Sequence, residues 1–391
     1  MTATLAPSTR TLRAYWRPLV SLPAIAEEWR DLAKRALQPN IFYEPDFALA
    51  AATIFGTDAG AVLVRSQDGV LRGFFPAQPE PYRYGMMTGV IAGWTHPYAP
   101  LGVPLVDRER AQETLHAWLD HLGREQGLRL LVLPYLPDDG AFAATLRTVL
   151  QGRGLANAAF GSHARALLAP AEDRAGYLAH AVSAKLRKEL GRKRRRLSDL
   201  GDVAHESATD AFAVGAFVQD FLALEEKGWK GRAGSAAAQD PALRQFLQSA
   251  VTGLARRGQV RADRLTVAGQ PAAVTLLLRR GDTAWLWKIA YDETFARYSP
   301  GVQLARDVTE ALLKDESIAT ADSCATPDHP MIDHLWRERL VLSDRLIALR
   351  PGESVRFGLA RNLEALRRIA MGAAKSIRNT VVRRAPAADG G

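Results

Sequence analysis

The chain has 391 residues, 47% of them hydrophobic and 24% charged, with one cysteine and a net charge of +9. That length suits two ordinary domains, and the composition is that of a globular chain rather than a collagenous, disordered or membrane-embedded one. Cys324 alone excludes an internal disulfide and a multi-cysteine metal site.

The first half opens with a helical pattern over Ile25–Leu37, with Trp29, Leu32 and Ala36 on one face. A loop, Gln38–Asp46, follows, and then two strand-like runs, Ala61–Arg65 and Val70–Pro76, joined by the turn Gln67-Asp68-Gly69. Tyr82–Pro104 is rich in Gly and aromatics, includes Trp94, His96, Pro97 and Tyr98, and reads as irregular loops over a site or an interface. A helix at Arg108–Gly123, a buried strand at Leu128–Leu133 and a helix at Gly140–Leu150 complete an alternating α/β unit.

Helical patterns in the second half fill Tyr177–Leu200, Ala211–Lys227 and Pro241–Arg257. Strands at Val260–Val267, Ala272–Leu278 and Thr283–Ala290 are separated by Gly269-Gln270-Pro271 and Gly281-Asp282, the pattern of an antiparallel meander. A helix at Gly301–Lys314, a strand at Ser317–Asp322, a helix around Met331–Arg339 and a strand at Val341–Leu349 follow. By element order the halves read as two copies of one α/β architecture.

The basicity is local. Lys185–Arg196 holds eight Lys or Arg and one Glu, and Arg356–Arg384 holds eight and one again; the remainder is mildly acidic. The first run reads either as the solvated face of a core helix or as an anion-binding ridge for a nucleotide, a tRNA or lipid head groups. In the second, Leu359, Leu363, Leu366, Ala370, Ile377 and Val381 follow three-and-four spacing, with arginines and Lys375 mostly elsewhere. That is the pattern of a helix on an anionic membrane surface, or of one packed on the domain or a partner; disorder is expected for the last residues. No stretch approaches the ~20 apolar residues that cross a bilayer, and no secretory signal is read at the N-terminus. The expected location is therefore cytoplasmic, with peripheral contact to the inner membrane if the tail is a membrane helix.

The chemistry concentrates in AWLWKIAYDETFARYSPGVQL. In Ala284–Ala290, strict alternation puts Trp285 and Trp287 on one face, Leu286 and Lys288 on the other. Ser299-Pro300-Gly301 starts a helix with a capping Ser, a Pro suited to the first position and a Gly that admits close approach to the backbone. Free N–H groups at such a start, with the helix dipole, seat a pyrophosphate; the same residues also describe a well-capped helix and nothing more.

The order helix, meander, Lys288-Ile289-Ala290-Tyr291-Asp292, Ser299-Pro300-Gly301, helix and Asp322 resembles the GNAT acetyltransferase superfamily. With Asp328-His329-Pro330 and Trp336-Arg337-Glu338-Arg339 it is similar to the cellulose-biosynthesis-associated branch, related to the Fem-type aminoacyl transferases. The Ser-Pro-Gly turn is shorter and less glycine-rich than the usual pyrophosphate loop of that superfamily. The resemblance implies an α/β (α+β) fold of tandem GNAT-like domains, each a mixed, mostly antiparallel twisted sheet flanked by helices. Residues 1–165 would be a degenerate copy, 166–350 the acyltransferase domain, and 351–391 a basic helix and tail. It further implies a splayed strand pair that admits a pantetheine arm, with acyl-coenzyme A as co-substrate and no permanently bound cofactor. Lys288, Tyr298, Ser299, Gly301 and Val302 would hold the donor.

Acyl transfer to an amine requires a neutral amine, a polarised thioester carbonyl and a proton for the thiolate. Asp322 is placed to accept the amine proton, His329 is the titratable alternative, and Tyr291 can donate to sulfur. Each has a plainer reading: Asp322 orienting a turn, His329 capping a helix with Asp328, Tyr291 packing on Trp287. Trp229, Lys230, Asp292, Trp336 and Arg339 are the candidate acceptor contacts, although Glu225–Gly231 also reads as an ordinary charged helix end. Cys324 reads as a small hydrophobe rather than a nucleophile. The leading expectation is an acyl-CoA-dependent N-acyltransferase acting on an amine or hydroxyl of an envelope glycan or lipid precursor, such as the long-chain amino alcohol of a ceramide-type synthesis. A Fem-like enzyme using aminoacyl-tRNA, a non-catalytic scaffold and a nucleic-acid-binding protein are the alternatives; the basic runs lack the interleaved aromatics of the last.

Overall fold

The computed structural model describes residues 12–85, 87–170, 173–352 and 354–384. The disorder expected at 385–391, and much of the N-terminal segment searched for a signal, lie outside the described residues.

The first half runs β1 (Arg13–Pro18), α1 (Ala26–Arg35), α2 (Pro45–Phe55), β2 (Gly60–Arg65), β3 (Leu71–Pro79), β4 (Val90–Gly93), β5 (Leu105–Val106), α3 (Ala111–Arg124), β6 (Leu130–Pro137), α4 (Ala141–Gly152) and β7 (Asn157–Leu168). Next come α5 (Tyr177–Ala181), α6 (Ala184–Ser198), β8 (Val203–Ala208), α7 (Ala211–Lys227), α8 (Trp229–Arg232), α9 (Pro241–Ala255), β9 (Val260–Val267), β10 (Gln270–Arg280) and β11 (Thr283–Tyr291). The chain closes with α10 (Pro300–Lys314), β12 (Thr320–Asp322), β13 (Glu338–Ala348) and α11 (Ser354–Arg384). The helix starts follow local chemistry. Asp210 accepts from the N–H groups of Phe212 and Ala213 at 3.1 and 2.9 Å, and Asp240, before Pro241, does the same for α9.

All strands join one mixed, mostly antiparallel sheet, ordered β1-β2-β3-β4-β6-β13-β7-β12-β11-β10-β9-β8, with β5 beside β3. Each half has one parallel pair, β4 with β6 and β11 with β12. The last strands are exchanged: β13 inserts between β6 and β7, and β7 pairs with β12. Strand β7 thus spans the expected boundary at 165/166.

Helices cover both faces. Successive residues of β3 point to opposite sides, Phe74 onto Trp29 of α1 (4.0 Å between rings) and Phe75 onto Trp118 of α3 (4.1 Å). In the second half α7 and α9 share the larger core with Trp285 and Trp287, while Leu286 packs with α10 on the other face. Across the halves, Phe47 of α2 meets Phe246 of α9 edge-on at 5.5 Å.

Several expectations change. Strands β1, β4, β5, β7 and β8 were not anticipated, and the helical run Tyr177–Leu200 breaks at Val182-Ser183, where Ser183 caps α6. The helix around Met331–Arg339 is replaced by a short 3-10 turn, Ile332–His334, leading into β13. Its apolar spacing arises because Ile332, Leu335 and Trp336 fill the core from a turn.

Candidate active site

Strands β11 and β12 pair only from Thr283↔Thr320 to Trp285↔Asp322. There β12 ends, and Cys324 turns the chain away with a left-handed φ of 52°, its N–H donating to Asp322 Oδ1 at 2.9 Å. Beyond Trp285 the edge of β11 therefore has no β12 partner. Opposite β10 the register slips at this point: Leu277 faces Leu286, but Leu276 faces Lys288, leaving Trp287 as an extra residue. This bulge corrects the strict alternation read from the sequence. Lys288 is turned to the side of Trp287, with Nζ 4.0 Å from the centre of the Tyr98 ring and 5.5 Å from that of Trp287.

The first half supplies the wall. Trp287 Nε1 donates to the carbonyl of Tyr98 at 2.8 Å. Arg165 of β7, only 2% exposed, donates from Nη1 to Pro100 O at 2.9 Å and from Nη2 to Asp322 Oδ2. Asp322 thus has both oxygens engaged, one by Arg165 and one by the Cys324 amide, and acts on the splay by fixing its end. Lys288 is half-buried, and among the described residues its ammonium has no hydrogen-bond or ion-pair partner; it faces the two rings. Burial, reinforced by Lys230 and opposed by Glu225, lowers its ammonium to about 8. Burial pushes the Cys324 thiol well above its ordinary range, unlike an activated nucleophile.

At the far end of β11, Asp292 caps a 3-10 turn by accepting from Thr294 N at 2.8 Å. The turn ends at Ser299, left-handed at φ 55°, and Pro300 begins α10. Ser299 makes no capping bond through its side chain; instead Lys193 of α6 donates to its Oγ at 2.9 Å. Arg194 donates to Gln303 Oε1 at 3.3 Å and pairs with Asp307 at 3.0 Å. The basic run therefore lies against the start of α10, where the first N–H groups, those of Gly301 and Val302, have no acceptor within the helix. A Cβ on Gly301 would stand 3.4 Å from Tyr291 Cδ1, so this glycine also lets strand and helix pack closely. Tyr298 is buried, with Arg297 4.7 Å above its ring.

A small cleft of about 50 Å³ beside β11 gathers Trp229, Lys230 and Tyr291 with Glu225, Ile289 and Glu293. Lys230 donates to Glu225 at 2.6 Å, and Trp229 is exposed, its N–H bonded to Glu293 at 2.7 Å. Other expected contacts lie elsewhere. Trp336 is fully buried and donates to Thr309 Oγ1 at 2.9 Å, a core side chain with no surface to offer an acceptor. Arg339 turns back onto the carbonyls of Trp336, Arg337 and Glu338 at 2.8, 3.1 and 2.9 Å. His329 accepts from Met331 N at 3.3 Å within its own turn, and burial lowers its pKa. Arg165 escaped the sequence reading because a lone arginine in an unpatterned strand signals nothing until its partner, 157 residues away, is known. No helix among the described residues is long and apolar enough to cross a membrane.

Comparison with known proteins places this geometry. Residues 184–329 match the family model of the acetyltransferase (GNAT) domain, and no curated protein sequence matches the chain. Among solved structures, one similar fold is the C-terminal domain (DUF2156) assigned to a lysylphosphatidylglycerol synthetase of Agrobacterium fabrum. It has a TM-score of 0.52 at 14% identity, over 87% of this chain and 96% of that one. FemX is similar at TM-score 0.52 and 11% identity, over 82% and 95%. A conserved protein of unknown function from Bacteroides thetaiotaomicron reaches 0.53 at 10% identity, over 86% and 99%. Arg165 and Tyr98 lie outside the matched segment. The fold is GNAT-like, and the segment from α6 through the turn after β12 is the part that matches an acetyltransferase (GNAT) domain.

Proposed function

We propose that the chain is an acyl-CoA-dependent N-acyltransferase acting on an amine, or a hydroxyl, of a cell-envelope lipid or glycan precursor. The observation that carries this reading is the splay between β11 and β12, with the unpaired, half-buried cation of Lys288 at its bulge and an uncapped helix start beside it. A pantetheine arm pairs with the free edge of β11, and the donor phosphates meet the start of α10 and Lys193. The thioester carbonyl then lies near Lys288. Attack by the acceptor nitrogen forms the C–N bond and places negative charge on the carbonyl oxygen, which the ammonium stabilises in a poorly hydrated site. Collapse breaks the C–S bond, and the thiolate takes a proton from Lys288, which recovers one from the acylated nitrogen through solvent. Asp322 and Arg165 act as positioning residues, and Trp229, Lys230 and Tyr291 border the acceptor cleft.

A second reading, aminoacyl transfer from tRNA, is favoured by the fold likeness to FemX and by exposed Lys185, Lys188, Arg192 and Arg196 on α6. One experiment separates them. Purified chain is titrated with acyl-CoA by calorimetry, and lipids and glycans of a deletion strain are profiled by mass spectrometry beside a Lys288→Ala strain. Saturable acyl-CoA binding and the same missing acylated product in both strains are expected. Product formation that survives in the Lys288→Ala strain, or that in vitro is abolished by ribonuclease, sinks the proposal.

A further inference from the structure

Helix α11 packs on the sheet through Phe357 and Ala360, which are buried beside β4, β6 and β13. On the same inward side Glu364, 1% exposed, accepts from Arg83 Nε at 2.9 Å and Arg368 Nε at 2.8 Å. The outward side carries Val355, Leu359, Leu366 and Ile369, which are 61–85% exposed. Their spacing of four, seven and three places them on one stripe of a 3.6-residue helix. A helix lying on a sheet ordinarily shows polar residues outward, and here the outward stripe is apolar apart from Asn362. Arg356 and Arg361 are exposed along its flanks, whereas the sole carboxylate between residues 355 and 371 is the inward Glu364.

The neighbouring surface continues this character. A cleft of about 140 Å³ between α11 and β6 is walled by Tyr84, Leu130, Phe357, Leu359 and Leu363, and Arg356 lines it as well. Tyr82 and Met87, in the turn that carries Arg83, are exposed. We propose that this face docks on the surface of an anionic phospholipid bilayer, the stripe entering the boundary between head groups and acyl chains and the arginines meeting phosphates. Charge decides between a bilayer and a second copy of the chain. Apposing two such stripes would bring arginine rows together with no exposed carboxylate among the described residues 355–371 to answer them. The inference stands whichever donor the active site uses.

The test is flotation of the full chain with vesicles of phosphatidylcholine alone and with about one third phosphatidylglycerol, at low and high salt. Binding to the anionic vesicles alone, weakened by salt, is expected. Leu366→Gln with Ile369→Gln should weaken it by roughly tenfold. Arg356→Gln with Arg361→Gln should weaken it by at least about tenfold and flatten the salt dependence. All four positions are exposed, so an unchanged thermal melt identifies the loss as one of docking. Equal binding by Leu366→Gln/Ile369→Gln overturns the proposal. So does a dimer that this variant dissolves, in a parent chain that ignores vesicles, since the stripe would then be a self-association face.

Discussion

The two helices that connect the strands of the parallel pairs, α3 and α10, differ in what stands before them. Before α3, in the first half, Asp107 caps the 3-10 turn Arg108–Arg110 that runs into the helix; it is fully buried and accepts from Glu109 N at 3.0 Å, Arg35 Nε at 3.0 Å and Arg72 Nη1 at 2.9 Å. An internal carboxylate thus stands at the head of the turn that leads into α3, although α3 itself, like α10, has no side-chain cap. Before α10, Ser299 caps nothing with its side chain, and Lys193 and Arg194 gather there instead. The strand gaps differ in the same sense. Past β4 the chain folds back against β6, Gly102 N donating to Tyr135 O at 3.1 Å, while beyond Trp285 the pairing of β12 with β11 stops. The loop that plugs the first gap also delivers Tyr98 to Lys288. On the proposed reading one architecture serves as a filled support in the first half and as an open site in the second.

The sharpest way to break this contrast is at Lys288. Lys288→Ala should lower kcat by about 10²- to 10⁴-fold with little change in acyl-CoA affinity, read by steady-state kinetics. The two buried carboxylates come next. Asp322→Ala should cost about 3–5 kcal/mol of stability in urea melts, since it leaves the buried Arg165 charge unanswered, and Asp107→Ala less, about 1–3 kcal/mol, since Arg72 keeps Glu109 and Arg35 is a third exposed. Only Asp322→Ala should also depress kcat in the folded fraction; equal kinetic effects would dissolve the distinction between support and site. Third, with Lys288 acting as its cation and its pKa lowered to about 8, kcat should fall by about tenfold per pH unit above that value. A profile still rising at pH 9 would contradict this. The smallest effect belongs to Lys193→Ala, expected to raise the KM for acyl-CoA by roughly two- to fivefold, and less at high salt.

Local chemistry made much of the fold legible. Helix α7 and strand β9 match their sequence readings to the residue, because Asp210 caps one and the turn Ala268-Gly269 closes the other. Strand β7 was invisible, since Asn157–Leu168 is mostly exposed or half-exposed and shows no apolar run. Its place is set by β13 and β12, far along the chain. The site divides similarly. Trp229, Lys230 and Tyr291 line one cleft, and α10 begins at Pro300 as the Ser-Pro-Gly turn foreshadows, but without the expected cap from the Ser299 side chain. The setting of Lys288 depends on a bulge and on Tyr98 from the other half, neither of which alternation or spacing encodes. Trp336 misled because a tryptophan near charged residues looks available, and only packing shows it sealed on Thr309.

The exchange of terminal strands gives the chain the topology of a strand-swapped dimer tied into one polypeptide. Strand β13 pairs with β6 and β7, elements roughly two hundred residues earlier, so the central ladder closes only after nearly all of the sequence has been synthesised. Until then β6 and β7 present bare edges to other nascent chains, which makes this the stretch of synthesis most exposed to mispairing and to chaperone dependence. The Arg165–Asp322 lock joins β7 of the first half to β12 of the second, so it too waits for the chain to be made past residue 322.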